Sequence, residues 1–331
     1  MNHFLKKGLI ALAVATFLWG HEAFADFVTF GSGGSTFGMT FVEIGDAGNA
    51  ADTTNTGIAN TPAGSVSYKY RIGKYEVSED MISKFNASQS LQITKSALGA
   101  DKSATLVSWN EAARFVNWLN TSEGHQAAYN FTTGGVNENI ALWDSADAWQ
   151  QGGENRYRHK DAQYWLPSMD EWYKAAFYDP ESGNYFDYAT ASNSPPAAVS
   201  SGDGTGANGN NEAVWGNQSS GPADITQAGG LSPNGIMGMS GNVFEWEETS
   251  ENLANSSASL DRVIRGGSYN SAGNPTLVSS NFRAGRSPTS EIVFVGFRVA
   301  SAATVPEPGS IAVWSAMWVG GCFLRKRRVR K

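Results

Sequence analysis

Of the 331 residues only one is cysteine, Cys322, and four are histidine, of which His3 and His21 lie in the first 25 residues. A single thiol forms no internal disulfide, and everything before residue 322 lacks a thiolate metal site and a cysteine nucleophile. His125 and His159 are too few for a three-histidine centre, although they leave a Ser-His-Asp arrangement open. Positive charge is scarce as well. Eight of the 24 Lys and Arg sit at the two ends, so residues 26–304 carry 16 basic against 29 acidic side chains, a net charge of −13. Phosphate backbones are bound by Lys and Arg, so this balance argues against a nucleic-acid partner. It also favours solubility.

Long apolar runs are confined to the ends. Lys6 and Lys7 precede GLIALAVATFLWG and then Ala23-Phe24-Ala25, the layout of a signal peptide over residues 1–25 that signal peptidase removes. The run is shorter than the roughly 20 apolar residues a span needs, so the mature chain is expected to start at Asp26. At the other end VPEPGSIAVWSAMWVGGCFLRKRRVRK joins Pro306-Glu307-Pro308, an apolar stretch and a basic cluster, Arg325 to Arg328. The order over residues 301–331 is similar to the PEP-CTERM sorting tail of Gram-negative bacteria. That resemblance implies a transmembrane segment at about 310–324, an exosortase that cuts near Pro-Glu-Pro, and delivery to the cell surface or beyond in species that make extracellular polysaccharide. The basic cluster places the tail's end inside. An ordinary anchor that is never cut is the alternative.

Between the ends the periodicity predicts an α+β domain. Residues 26–67 read as a loop or strand extension, rich in Gly, Thr and Asn. VSYKYRIGKYEVS alternates as a strand, and Ser78 caps a short helix that turns Met81, Ile82 and Phe85 inward. Ser108 with Glu111, and Ser168 with Glu171, are capping boxes ahead of two further helices. Residues 184–234 read as a long loop anchored by Trp215. His159, between Arg158 and Lys160, reads as a solvated surface residue.

Six ordered segments carry a resemblance: YRIGKYEVS, LVSWNEAARFVNWLN, YWLPSMDEWYKAAFYDP, GIMGMSGNVFEWEE, RVIRGGSYN and VGFRVA. Over residues 68–300 they resemble the domain of the formylglycine-generating enzyme, or sulfatase-modifying factor. This implies a variant of the C-type lectin fold with much irregular structure. It also implies that Arg265-Gly266-Gly267-Ser268 enters an active groove, and Glu245 and Arg265 are expected to form a buried ion pair.

The family's oxidation of a substrate cysteine uses two active-site cysteines that bind copper(I) just past Arg-Gly-Gly-Ser. Ser271 stands at the first position and Thr276 near the second. A hydroxyl is a hard, neutral oxygen where copper(I) requires soft thiolate, so copper is not expected and no residue is assigned a catalytic role. Family calcium, bound around the GNVFEW turn, would fall to Gly241, Val243 and Glu245, with Gly238 in place of an asparagine ligand. Hard calcium wants six to eight oxygens.

The leading expectation is therefore an exported, non-catalytic binding module for extracellular polysaccharide or a surface protein. Trp215, Tyr269, Asn270, Ser271, Asn281, Arg283 and Arg286 would line its groove. The alternatives are an oxidoreductase, formylglycine-generating or other, with an unrecognised cofactor, and a purely structural surface or matrix protein.

Overall fold

A computed structural model describes residues 25–54, 56–57, 61–201 and 211–303. The expected signal peptide up to Phe24 and the expected sorting tail beyond residue 303, with its expected transmembrane segment and Cys322, lie outside the described residues, whereas Ala25 opens β1 and residues 301 and 302 belong to the last strand. In chain order the elements begin with β1 (Ala25–Phe30), β2 (Phe37–Ile44), β3 (Tyr70–Gly73), α1 (Glu79–Ser88) and α2 (Trp109–Ser122). Next come β4 (Ala148–Trp149), β5 (Asn155–His159), β6 (Tyr164–Trp165), α3 (Met169–Phe177), β7 (Tyr178–Asp179) and β8 (Asn184–Tyr185). The last are β9 (Ala197–Val199), β10 (Glu212–Val214), β11 (Phe244–Ser250), β12 (Arg262–Arg265), β13 (Ala284–Arg286), β14 (Val295–Gly296) and β15 (Ala300–Ala302).

The architecture is mixed α and β, rich in short strands with few helices. Five strands form one sheet in the order β1-β2-β3-β15-β6, and four form a second in the order β13-β12-β11-β14. The last segment, EIVFVGFRVAS, holds two strands. β14 pairs parallel to β11 in the second sheet, and after three residues β15 enters the first between β3 and β6. One short run thus joins both sheets.

The N-terminal region contributes more than a loop. β2 alternates inward and outward, and Phe37, Met39 and Phe41 join the main core with Phe30 of β1. The strand expected from Val66 is shorter, because Val66 instead takes a backbone bond from Gly48 and gives its own N–H to the Asn49 side chain. Both capping boxes form as expected, at Ser108 with Glu111 and at Ser168 with Glu171. They satisfy N–H groups that the first helical turn leaves unpaired. α2 buries Ala112, Phe115, Val116 and Leu119, the helical spacing read from the sequence. The 184–234 region is less irregular than expected, since it holds β8 and the parallel pair β9–β10.

Candidate functional site

The Arg-Gly-Gly-Ser segment leaves the end of β12 through two glycines with φ of 95° and 76°. At Gly267 a Cβ would meet Val278 Cγ1 at 2.4 Å and the Leu277 carbonyl at 2.8 Å, so only glycine fits this left-handed position. The chain then closes a tight turn. Ser268 N donates to Ser271 Oγ at 3.0 Å, and Ser271 N donates back to the Ser268 carbonyl at 2.9 Å. Backbone bonds from Gly216 to the Ser271 carbonyl and from Asn217 to the Tyr269 carbonyl tie the turn to the stretch after β10.

This lacing turns three of the seven expected groove residues inward. Trp215 is buried with Tyr188, Ala213 and Val278, its Nε1 donating to the Pro196 carbonyl at 3.2 Å. Tyr269 packs on Val214 and Ala223, and Ser271 is spent on its own turn. Asn270, Asn281 and Arg286 are exposed, and Arg283 is half-buried. Arg283 donates to the Glu251 carbonyl and lies 3.7 Å from Met169 Sδ. The seven are therefore not one groove: the aromatics fill core space, and Arg283 belongs to the neighbourhood of α3.

The expected Glu245–Arg265 ion pair is replaced by two others. Glu245 takes Arg298 Nε at 2.6 Å, Arg298 Nη2 at 2.5 Å and Trp172 Nε1 at 2.7 Å. Arg265 instead faces Glu247, with Nε 3.5 Å from Oε1. Glu245 and Arg265 do stand opposite each other in register, but positions two apart on a strand share a face, so Glu247 presents a second carboxylate beside the first. The diagonal contact goes to Arg265, whose Nη atoms reach the carbonyls of Ser280, Phe282 and Thr56.

Neither Glu247 oxygen has a hydrogen-bond partner among the described residues. Burial outweighs the attraction of Arg265 and Arg283 and pushes the carboxyl up to about 8. Glu76 behaves alike. Burial, then repulsion from Glu245, raise it to about 8, although Ser103 and Asn242 both donate to its Oε2 at 2.5 Å.

A cluster that the sequence did not disclose lies at the start of α3. Arg158, buried in β5, donates through Nη1 and Nη2 to Glu171 at 3.0 Å and through Nη2 to Glu248 at 2.7 Å. Its guanidinium lies over the rings of Trp165 and Trp149, 4.4 and 4.9 Å from their centroids, and Tyr68 Oη donates to Glu171 at 2.6 Å. Burial alone would raise Glu171, but the Arg158 guanidinium holds it below the ordinary carboxylate value. Glu171 therefore does more than close its capping box. His159, next in β5, is buried and not solvated: its ring meets Trp143 edge-on at 4.7 Å, and its Nδ1 accepts from Asp161 N. Above the cluster opens a cavity of about 290 Å³ whose wall includes Ser67, Tyr68, Trp149, Asn155, Arg158 and Asp170.

The family model for the sulfatase-modifying factor enzyme 1-like domain matches residues 24–303. The chain belongs to this family. A search of the curated proteins finds no significant match. Among solved structures, Treponema denticola variable protein 1 is similar at 20% identity, covering 84% of this chain and 99% of that one with a TM-score of 0.57. CarF is similar at 18% identity, covering 80% and 99% with a TM-score of 0.56. These likenesses establish the fold.

The family's metals can be tested against the residues present. The Ser271 hydroxyl is engaged inside its turn and Thr276 is the second residue of a short 3-10 turn, Pro275–Val278. Two hard oxygens do not suit copper(I). Calcium fares little better at Gly241, Val243 and Glu245, because the one carboxylate among these three is already neutralised by Arg298 and Gly238 supplies no side-chain oxygen. Gly241 itself serves the fold, donating to the Gly266 carbonyl at 2.6 Å. A Cβ there would meet the Val214 carbonyl at 2.6 Å.

Proposed function

We propose that this member of the sulfatase-modifying factor family is an exported, non-catalytic binding module. In this reading a signal peptide carries it out, an exosortase sorts it through the PEP-CTERM tail, and it works in the cell-surface polysaccharide layer. One observation carries the reading. The segment that holds the family's two cysteines has hydroxyls there, and the first is consumed in holding its own turn. What remains is a rigid body with exposed polar loops at Asn270, Asn281 and Arg286.

Two measurements test it. Incubated with a cysteine-containing sulfatase peptide, copper and oxygen, the protein is expected to yield no aldehyde by mass spectrometry; a formylglycine product would sink the non-catalytic reading. Co-sedimentation with the producing organism's extracellular polysaccharide is expected to be saturable. Arg283→Ala with Arg286→Ala, checked by circular dichroism for an unchanged fold, should weaken it severalfold. Absence of saturable binding would leave an inert surface body as the better reading.

A further inference from the structure

The cavity above Arg158 lies apart from the Arg-Gly-Gly-Ser turn, and no residue from 265–276 lines it. Four stretches build it: residues 61–68, the β4–β5 hairpin, the first turn of α3, and the end of β11 with the chain just past it. Its floor is fixed. Arg158 spends its guanidinium on Glu171 and Glu248 between two indoles, and Asn155 donates to Glu248 while accepting from Tyr157 N. A floor so fully satisfied holds the wall in one shape before anything binds, which lowers the ordering cost of binding.

The chemistry of the wall narrows the occupant. One side is aromatic, with Tyr68 and Trp149 packed edge-on at 5.4 Å and 67°. Hydroxyl and amide groups supply most of the rest. Ser67 and the Gln151 amide have no partner among the described residues. Thr249 Oγ1 accepts from Met169 N and keeps its own proton to donate. Asp170 takes Gly64 N on Oδ1, and its Oδ2 has no partner among the described residues. Charge excludes anions: among the described residues Arg158 is the single cation of the wall, and Glu171 and Glu248 already outnumber it before Asp170 and Glu154 are added. The volume is at the small end of ligand pockets.

We propose that this cavity binds an uncharged, polyhydroxylated ligand of about one sugar ring, such as the terminal unit of a neutral glycan. The ring's C–H face would lie on the aromatic side, and its hydroxyls would meet Asp170 Oδ2, Ser67, Thr249 and Gln151. The inference rests on the reading of the domain as a binding module but places the contact away from Arg283 and Arg286.

The test is a titration of the purified chain with methyl glycosides of glucose, galactose and mannose, beside glucuronate and glucosamine, read by saturation-transfer NMR and calorimetry. At least one neutral glycoside is expected to saturate and to bind tenfold or more tightly than glucuronate. Ser67→Phe, a change at an exposed wall position, is expected to abolish that signal with the melting temperature unchanged. Asp170→Asn, which keeps the bond from Gly64, should weaken binding at least fivefold. No saturation by any neutral glycoside overturns the proposal, as does a preference for glucuronate or glucosamine, or binding unaffected by Ser67→Phe. Polysaccharide sedimentation sensitive to Arg283 and Arg286 would still stand after such a failure, so the two readings fail separately.

Discussion

Replacing Arg158 with methionine is expected to remove about 3–5 kcal/mol of stability, the range for breaking a buried ion pair by taking away one partner. Methionine keeps much of the stem that passes Trp149 and Trp165, so lost packing is a minor part of the effect. The larger part is electrostatic. Glu171 and Glu248 have fully buried side chains, and without the guanidinium two carboxylates face each other in a medium that solvates neither. The urea midpoint should fall with the slope unchanged, and the melting temperature should drop by on the order of 10 °C. Adding Glu248→Gln should recover part of the loss. A single variant that unfolds within 1 kcal/mol of the parent would show that the cluster does not hold the fold.

The second large effect is on pH. Glu76 and Glu247 both lie at about 8 in the folded chain against an ordinary 4.5. A raised acid binds its proton more tightly when folded, so the stability it contributes is complete below about pH 4.5. That contribution is lost as the pH climbs through 8. Each unit of difference is worth about 1.4 kcal/mol, so stability should fall by several kcal/mol between pH 5 and 8.5. Glu171 acts in the opposite sense: it is held below its ordinary value, so its contribution disappears only as acid protonates it. Glu76→Gln with Glu247→Gln should flatten the alkaline slope and leave the acid limb in place. Urea melts at half-unit pH steps measure this, and a parent curve that is flat or rises from pH 5 to 8 would refute it.

Local features were legible in the sequence. The capping boxes at Ser108 and Ser168 and the inward face of α2 follow from spacings of a few residues, and the structure contains them. Pairings across the chain were not legible. Arg158 finds Glu171 thirteen residues away and Glu248 ninety away, and nothing in the local pattern distinguishes it from Arg156. The sequence alone does not pair Glu245 correctly, because two acids share one face of β11 and two arginines, Arg265 and Arg298, compete for them. Trp215 and Tyr269 look like ligand-binding aromatics in a polar loop. Only the backbone bonds from Gly216 and Asn217 reveal that the loop folds over them.

β15 enters the first sheet between two strands that precede it by well over a hundred residues. A chain emerging from its N-terminal end can bring together β1, β2 and β3, and can form β6, yet it cannot join these pieces until residue 302 is available. In any vectorial synthesis or translocation, closure of this sheet therefore waits for β15 to emerge. Until then Tyr70, Ile72, Tyr164 and Trp165 present open strand edges, the kind of surface that recruits a holding chaperone or invites mispairing.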